Sequence, residues 1–288
     1  MDNLNDSLKD IASAHRLQQA VDEAFSRIRA KIKGWAISGQ DPAPEISKDG
    51  LVGVAGNAWH PLTDTLELKL QFLHFGRIIR GRLAPSTKTF SGETTTDKDV
   101  VDFVPKSLTI RQITSKHMGV FDIKGLLILL TARYKRDLID VFTETPKWDY
   151  SVSGGLRAKW VRSFLDIKRC RGMEFNRPRM PIHAVDTKMR LWVLVDASKE
   201  LLTVWSGVGL KRKNGSWSSA FLIARCLLVP TDCSIPRAEM EALVAGLNML
   251  WLFRQILSNW LDTFILSGHA QIPLHWVLSD KLKFGLWH

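Results

Sequence analysis

The sequence predicts an α/β fold: a mainly α region with a short β-hairpin, then a sheet carrying one long apolar helix. Three observations predict it. Residues 190–267 run strand, hairpin, strand, helix, strand. Apolar residues recur three and four apart over 8–32 and 155–169. The 45% hydrophobic and 24% charged content over 288 residues is that of a globular chain with room for two cores. Disorder, marked by low hydrophobicity with high net charge, is excluded. The 40 Lys and Arg exceed the 29 Asp and Glu by 11, a mild bias towards an anionic partner.

From Leu8 to Ile32, residues Ile11, Ala14, Leu17, Ala20, Val21, Ala24, Ile28 and Ile32 form one helical stripe with a basic trailing end. A Gly-, Pro- and Asp-rich loop over 39–50 leads to two extended segments, 51–59 and 65–73, joined by a turn over 60–64. In the second, Leu66, Leu68 and Leu70 alternate with Glu67, Lys69 and Gln71, as in a half-wet strand. Residues 77–106, basic and then rich in Thr, Ser and Asp, read as a surface connector. Residues 107–140 read as helical around the apolar run 125–130, and 155–169 as a helix on Leu156, Trp160, Phe164 and Ile167. Arg177-Pro178-Arg179-Met180-Pro181 breaks the chain and divides a connecting region, 1–181, from a second domain, 182–288.

In that second domain, 190–197 is a strand ending on Asp196, and 203–211 and 217–228 are strands joined through Asn214-Gly215, a strong hairpin signal. Ser234-Ile235-Pro236 opens a helix to about Ser258, with Ser as cap and Pro in the first turn. Leu243, Val244, Leu247, Leu250, Trp251, Phe253 and Leu257 make it apolar on nearly all sides, so it is expected to be buried on the sheet. A strand over 263–267 and a short helix from Gln271 follow.

Other classes are disfavoured. The start is acidic and polar, unlike a secretory signal. The longest apolar runs, 125–130 and 242–247, fall far short of the ~20 residues of a membrane span, so no membrane partner is expected. Cys170, Cys226 and Cys233 are odd in number and lack CxxC spacing; they read as free thiols in an intracellular compartment, cytoplasmic or nuclear.

Carboxylates stand at a strand end (Asp196) and near a helix start (Glu239). There they could give hard oxygen ligands to divalent cations, as two-metal phosphodiester hydrolysis requires. Spacing alone equally suits a strand-ending Asp and a Glu favouring the helix dipole.

The wording of the sequence goes further. Trp59-His60-Pro61, Thr65-Leu66-Glu67-Leu68 and Phe103-Val104-Pro105-Lys106-Ser107-Leu108-Thr109 are followed by Ala184-Val185-Asp186-Thr187-Lys188-Met189-Arg190 and Val195-Asp196-Ala197-Ser198. Ile235-Pro236-Arg237-Ala238-Glu239 and Ala270-Gln271-Ile272-Pro273-Leu274-His275-Trp276 complete the series. In this order, from about Lys33 to the C-terminus, the chain resembles the polyprotein of BEL/Pao-type LTR retrotransposons, in the segment after the reverse transcriptase. The resemblance implies a connection region and a ribonuclease H-like mixed sheet whose first three strands are antiparallel. It implies two Mg²⁺ ions cutting the RNA strand of an RNA–DNA hybrid, with reverse transcriptase and integrase as polyprotein neighbours. Asp196 matches the first carboxylate and Glu239 the second, while Glu241 lies on another helix face.

At the third position the family has aspartate and this chain has His269, a softer, neutral donor that Mg²⁺ disfavours. The sequence ends at His288, before the family's last strand, helix and fourth ligand. The expectation is therefore a C-terminally incomplete domain, inactive or crippled in hydrolysis, with a non-catalytic nucleic-acid binder or a structural relic as rivals. Asp262, a strand length from His269, and Asp280, beyond the next helix, are poorly placed to substitute. His269, His275 and His288 match no metal motif. Lys211-Arg212-Lys213 at the hairpin tip suits a phosphate backbone or a solvated turn equally; residues 77–82 and 169–179 default to solvated basic loops. Trp148, Trp160, Trp192, Trp205, Trp217, Trp251 and Trp260 are read as core.

Overall fold

The computed structural model describes residues 8, 10–54, 56–68, 78–79, 82–83, 95–145, 147–177 and 188–278. In chain order these form α1 (Ile11–Arg27), β1 (Ser47–Lys48), β2 (Leu51–Val54), β3 (Asn57–His60), β4 (Thr65–Leu68), β5 (Ile78–Ile79), β6 (Arg82–Leu83) and α2 (Asp97–Phe103). Next come α3 (Ile110–Met118), α4 (Ile128–Glu144), α5 (Gly154–Arg169) and β7 (Glu174–Asn176). Then follow β8 (Met189–Ala197), β9 (Leu201–Lys211), β10 (Trp217–Leu228), α6 (Ile235–Leu257), β11 (Leu261–Gly268) and α7 (Gln271–Leu278). Two compact units result, one from 1–108, 115–121 and 157–177, the other from 109–114, 122–156 and 178–288. Residues 122–156, read from sequence as connector, thus group with the C-terminal sheet; the break read at Pro181 lies outside the described residues.

In the first unit, the short hairpin read from sequence is part of a five-stranded antiparallel sheet, β1-β2-β3-β4-β7. The segment expected as one strand over 51–59 is two, folded back at Gly56, whose φ of 82° suits glycine. A Cβ there would lie 2.3 Å from the Phe121 ring. Residues 69–73, expected to continue β4, lie outside the described residues. The buried Asp64 carboxylate accepts hydrogen bonds from Trp59 Nε1 (3.0 Å) and Arg177 Nε (2.7 Å), which ties the turn before β4 to the residue after β7. Helix α2 lies where a connector was expected. It has a capping box: Asp99 N donates to Thr96 Oγ1 (3.2 Å) and Thr96 N to Asp99 Oδ2 (2.7 Å).

In the second unit the sheet order is β10-β9-β8-β11, antiparallel except that β11 runs parallel to β8. One face, through Val193, Val195, Leu202 and Val204, packs on Ala238, Ala242 and Leu243 of α6. The other face, through Ala224 and Cys226, packs on Ile128 and Ala132 of α4. The single helix expected over 107–140 is therefore α3 and α4, parted by a turn. The Asp122 carboxylate there accepts from Leu126 N (2.9 Å) and Leu127 N (2.6 Å), and Gly125 takes a φ of 75°.

Helix α6 starts as expected and corrects the expectation of its burial. Ser234 caps it without a side-chain hydrogen bond, and Pro236 in the first turn sets its start. Only one side is buried, at Ala238, Ala242, Leu243 and Gly246; Val244, Leu247, Trp251, Leu252 and Ile256 are exposed. By length and composition this 23-residue helix is apolar enough to cross a membrane. Its small residues are nevertheless fitted to the sheet, since a Cβ on Gly246 would lie 2.6 Å from Val195 Cγ1.

Candidate functional site

Strand alternation and the parallel β8–β11 pairing create the site. Val193 and Val195 point beneath α6, so Asp196, between the buried Val195 and the strand end, projects outward. Gly268 is in register with Val195, so the chain leaving β11 puts His269 beside Asp196. Glu239, one turn into α6, faces the same place. Asp196, Glu239 and His269 line one shallow, open concavity, whose floor is Val195, Ala242 and Leu243. Gly268 and Ala270 complete its rim. Composition gave no sign of these small residues, yet a Cβ on Gly268 would already press on Val195 Cγ2 at 3.1 Å.

His269 Nδ1 lies 3.3 Å from Asp196 Oδ1, with both side chains more than half exposed. Asp196 Oδ1 also accepts from Ala197 N (2.9 Å). Glu241 lies outside the concavity and pairs with Arg237 at 3.6 Å. Asp262 stands at the opposite end of β11, and Asp280 lies outside the described residues.

These residues do not fit a pair of Mg²⁺ ions. Mg²⁺ takes near-octahedral oxygen donors, and two ions need several carboxylates converging on centres ~3.5–4 Å apart. This site offers two carboxylates and an imidazole, and the imidazole contacts the Asp196 oxygen that an ion would use. Among the described residues, no three His, Cys, Asp or Glu side chains are grouped to hold a metal.

The tryptophans correct the expectation of a uniform core. Trp160 is buried, whereas Trp148, Trp217, Trp251 and Trp260 are 46–63% exposed. Trp217 immediately follows a turn and sits opposite Lys211 at a strand end. The Asn214-Gly215 turn closes the expected hairpin: Gly215 takes positive φ (81°), while Asn214 Oδ1 accepts from Ser216 N (3.0 Å).

No curated protein matches the sequence. Among solved structures, the foamy viral protease-reverse transcriptase dRH in complex with double-stranded DNA has a TM-score of 0.46 at 10% identity; the match covers 92% of this chain and 37% of that one. The foamy viral protease-reverse transcriptase in complex with double-stranded DNA has a TM-score of 0.38 at 10% identity, covering 82% and 40%. This chain thus spans about two fifths of those chains. A family match, the Pao retrotransposon-like RNaseH-like domain, runs over residues 109–266. It takes in α4 and the sheet and ends short of His269. Covering more than half of the 288 residues, it gives the chain its place: it belongs to the Pao retrotransposon-like RNaseH-like domain family.

Proposed function

We propose that this chain is a retrotransposon polyprotein segment that engages an RNA–DNA hybrid but hydrolyses its RNA strand poorly or not at all. The observation that carries the reading is His269 on Asp196, at 3.3 Å, where the family pattern calls for a third carboxylate. The family is generally dependent on divalent metal. Replacing a carboxylate by imidazole removes one negative charge from the set that would hold Mg²⁺. Asp196 and Glu239 remain as the oxygen donors in this reading, and His269 occupies one of them instead of adding a third. Reverse transcriptase and integrase are the proposed polyprotein neighbours. An intracellular setting suits the three free thiols.

The test uses a hybrid with labelled RNA, with Mg²⁺ or Mn²⁺. The reading expects the chain to cleave no faster than its Asp196→Asn variant. Metal-dependent cleavage that Asp196→Asn abolishes overturns the crippled site. A second reading, nucleic-acid binding with no chemistry, is favoured by the cation-rich turn between β9 and β10; hybrid binding indifferent to salt counts against it.

A further inference from the structure

The outward face of β8 carries Arg190, Trp192, Leu194 and Asp196 in alternation with the buried Met189, Leu191, Val193 and Val195. Across the ladder, Arg190 is paired with Gly209 and Trp192 with Gly207. These glycines are the floor for two indoles. A Cβ on Gly207 would lie 2.0 Å from Trp192 Cζ2, and one on Gly209 would lie 3.5 Å from Trp217 Cε3. Trp192 is fixed in place by its Nε1, which donates to Ser219 Oγ at 3.1 Å. The Arg190 guanidinium carbon sits 4.0 Å from the Trp217 ring centroid. An arginine stacked this way is pre-oriented and keeps its donors for an anion.

Positive charge is concentrated on the β9–β10 hairpin at this corner of the sheet, and the acid near it is Asp262, exposed at the start of β11 on the other side of Arg190. Lys211, Arg212 and Lys213 crown the turn beside Trp217, and no Asp or Glu occurs from Leu201 to Leu228. Among the described residues, none of these three cations, nor Arg190, is paired with a carboxylate. Asn214, Ser216 and Ser218 stand among them, and such side chains contact phosphate and sugar oxygens. Arg190 and Asp196 lie six residues apart on the same face of β8, about 20 Å at strand rise. A nucleic-acid strand carries about six phosphates over that length. Between them the face is open, with Leu194 and Ile265 exposed.

We propose that Arg190, stacked on Trp217, and the Lys211–Lys213 turn form a sequence-independent platform for a nucleic-acid phosphate backbone, on the strand that ends at the Asp196 concavity. The proposal deepens the nucleic-acid reading above and rests on it. It commits to a polynucleotide because a fixed guanidinium, flanking hydroxyls and a row of cations on the hairpin suit evenly spaced phosphates.

The test measures binding of the full chain to an RNA–DNA hybrid, to single-stranded RNA and to phosphatidylserine/phosphatidylcholine vesicles over a range of salt. The variants are the exposed-turn triple Lys211→Ser/Arg212→Ser/Lys213→Ser and the single Arg190→Gln, with circular dichroism to check folding. The platform predicts that the slope of log affinity against log salt falls by about one for Arg190→Gln and by about two to three for the triple. The loss should be the same for unrelated nucleic-acid sequences. Hybrid binding that both variants leave intact overturns the platform and spares the reading of the domain. Wild-type binding to vesicles alone, or to nothing, overturns both.

Discussion

Gly207 is a residue whose identity is set by its neighbours. A methyl group there would meet the Trp192 ring at 2.0 Å and the Ala220 carbonyl oxygen at 2.5 Å. The backbone oxygen belongs to the β9–β10 ladder and cannot yield. Gly207→Ala should therefore destabilise the domain by about 1–3 kcal/mol through overpacking, read as a lowered urea midpoint. An unchanged midpoint would contradict this, since the indole's swinging away would still leave the clash with the Ala220 oxygen. Asp196 and Glu239 were legible in the sequence because motif and element order coincide at both. The contact between His269 and Asp196 was not, because it depends on the β8–β11 register, which follows from packing under α6. The exposure of Trp217 was equally hidden: hydrophobicity predicts burial, but this ring stands at a strand end and carries the Arg190 guanidinium where a core residue would carry apolar side chains.

Among the elements, α2 was missed although its signal was present, Thr96 followed three residues later by Asp99 within an otherwise polar stretch. Hydrogen bonds from the Thr96 side chain and backbone hold the Asp99 carboxyl below the usual range. A hydrogen bond from Lys168 at 2.7 Å, with its charge, does the same for Asp97. Depressed carboxyls contribute stability above the unfolded value, near 3.8, and that contribution is lost as pH falls through the folded values. Loosening of α2, followed by amide exchange over 97–103, should therefore begin only below about pH 4. Thr96→Ala should cost about 1 kcal/mol at neutral pH, measured by denaturation; no loss would show the cap to be idle. Strands β8 to β10 matched their sequence pattern because alternation and turn chemistry agree there. Helix α6 was legible in extent but not in burial, since apolar periodicity does not say which side of a helix meets the sheet.

At the scale of the molecule, sequence order misleads where the chain returns. Residues 122–156 belong with the C-terminal sheet because Ile128 and Ala132 cover the face opposite α6. No pattern inside α4 announces that partner. The +11 charge, weak as a global figure, gains meaning where it is concentrated at one corner of the sheet. Charge decides the site as well: His269 deprives the Asp196–Glu239 concavity of the negative charge that divalent metal needs. Calorimetric titration of Mg²⁺ and Mn²⁺ into the chain and into its His269→Asp variant, at matched ionic strength, tests it most directly. Binding to the native chain should be weak or undetectable, with a gain on the order of tenfold or more in the variant. Equal affinity in the two proteins, or tight Mg²⁺ binding by the native chain, would contradict it.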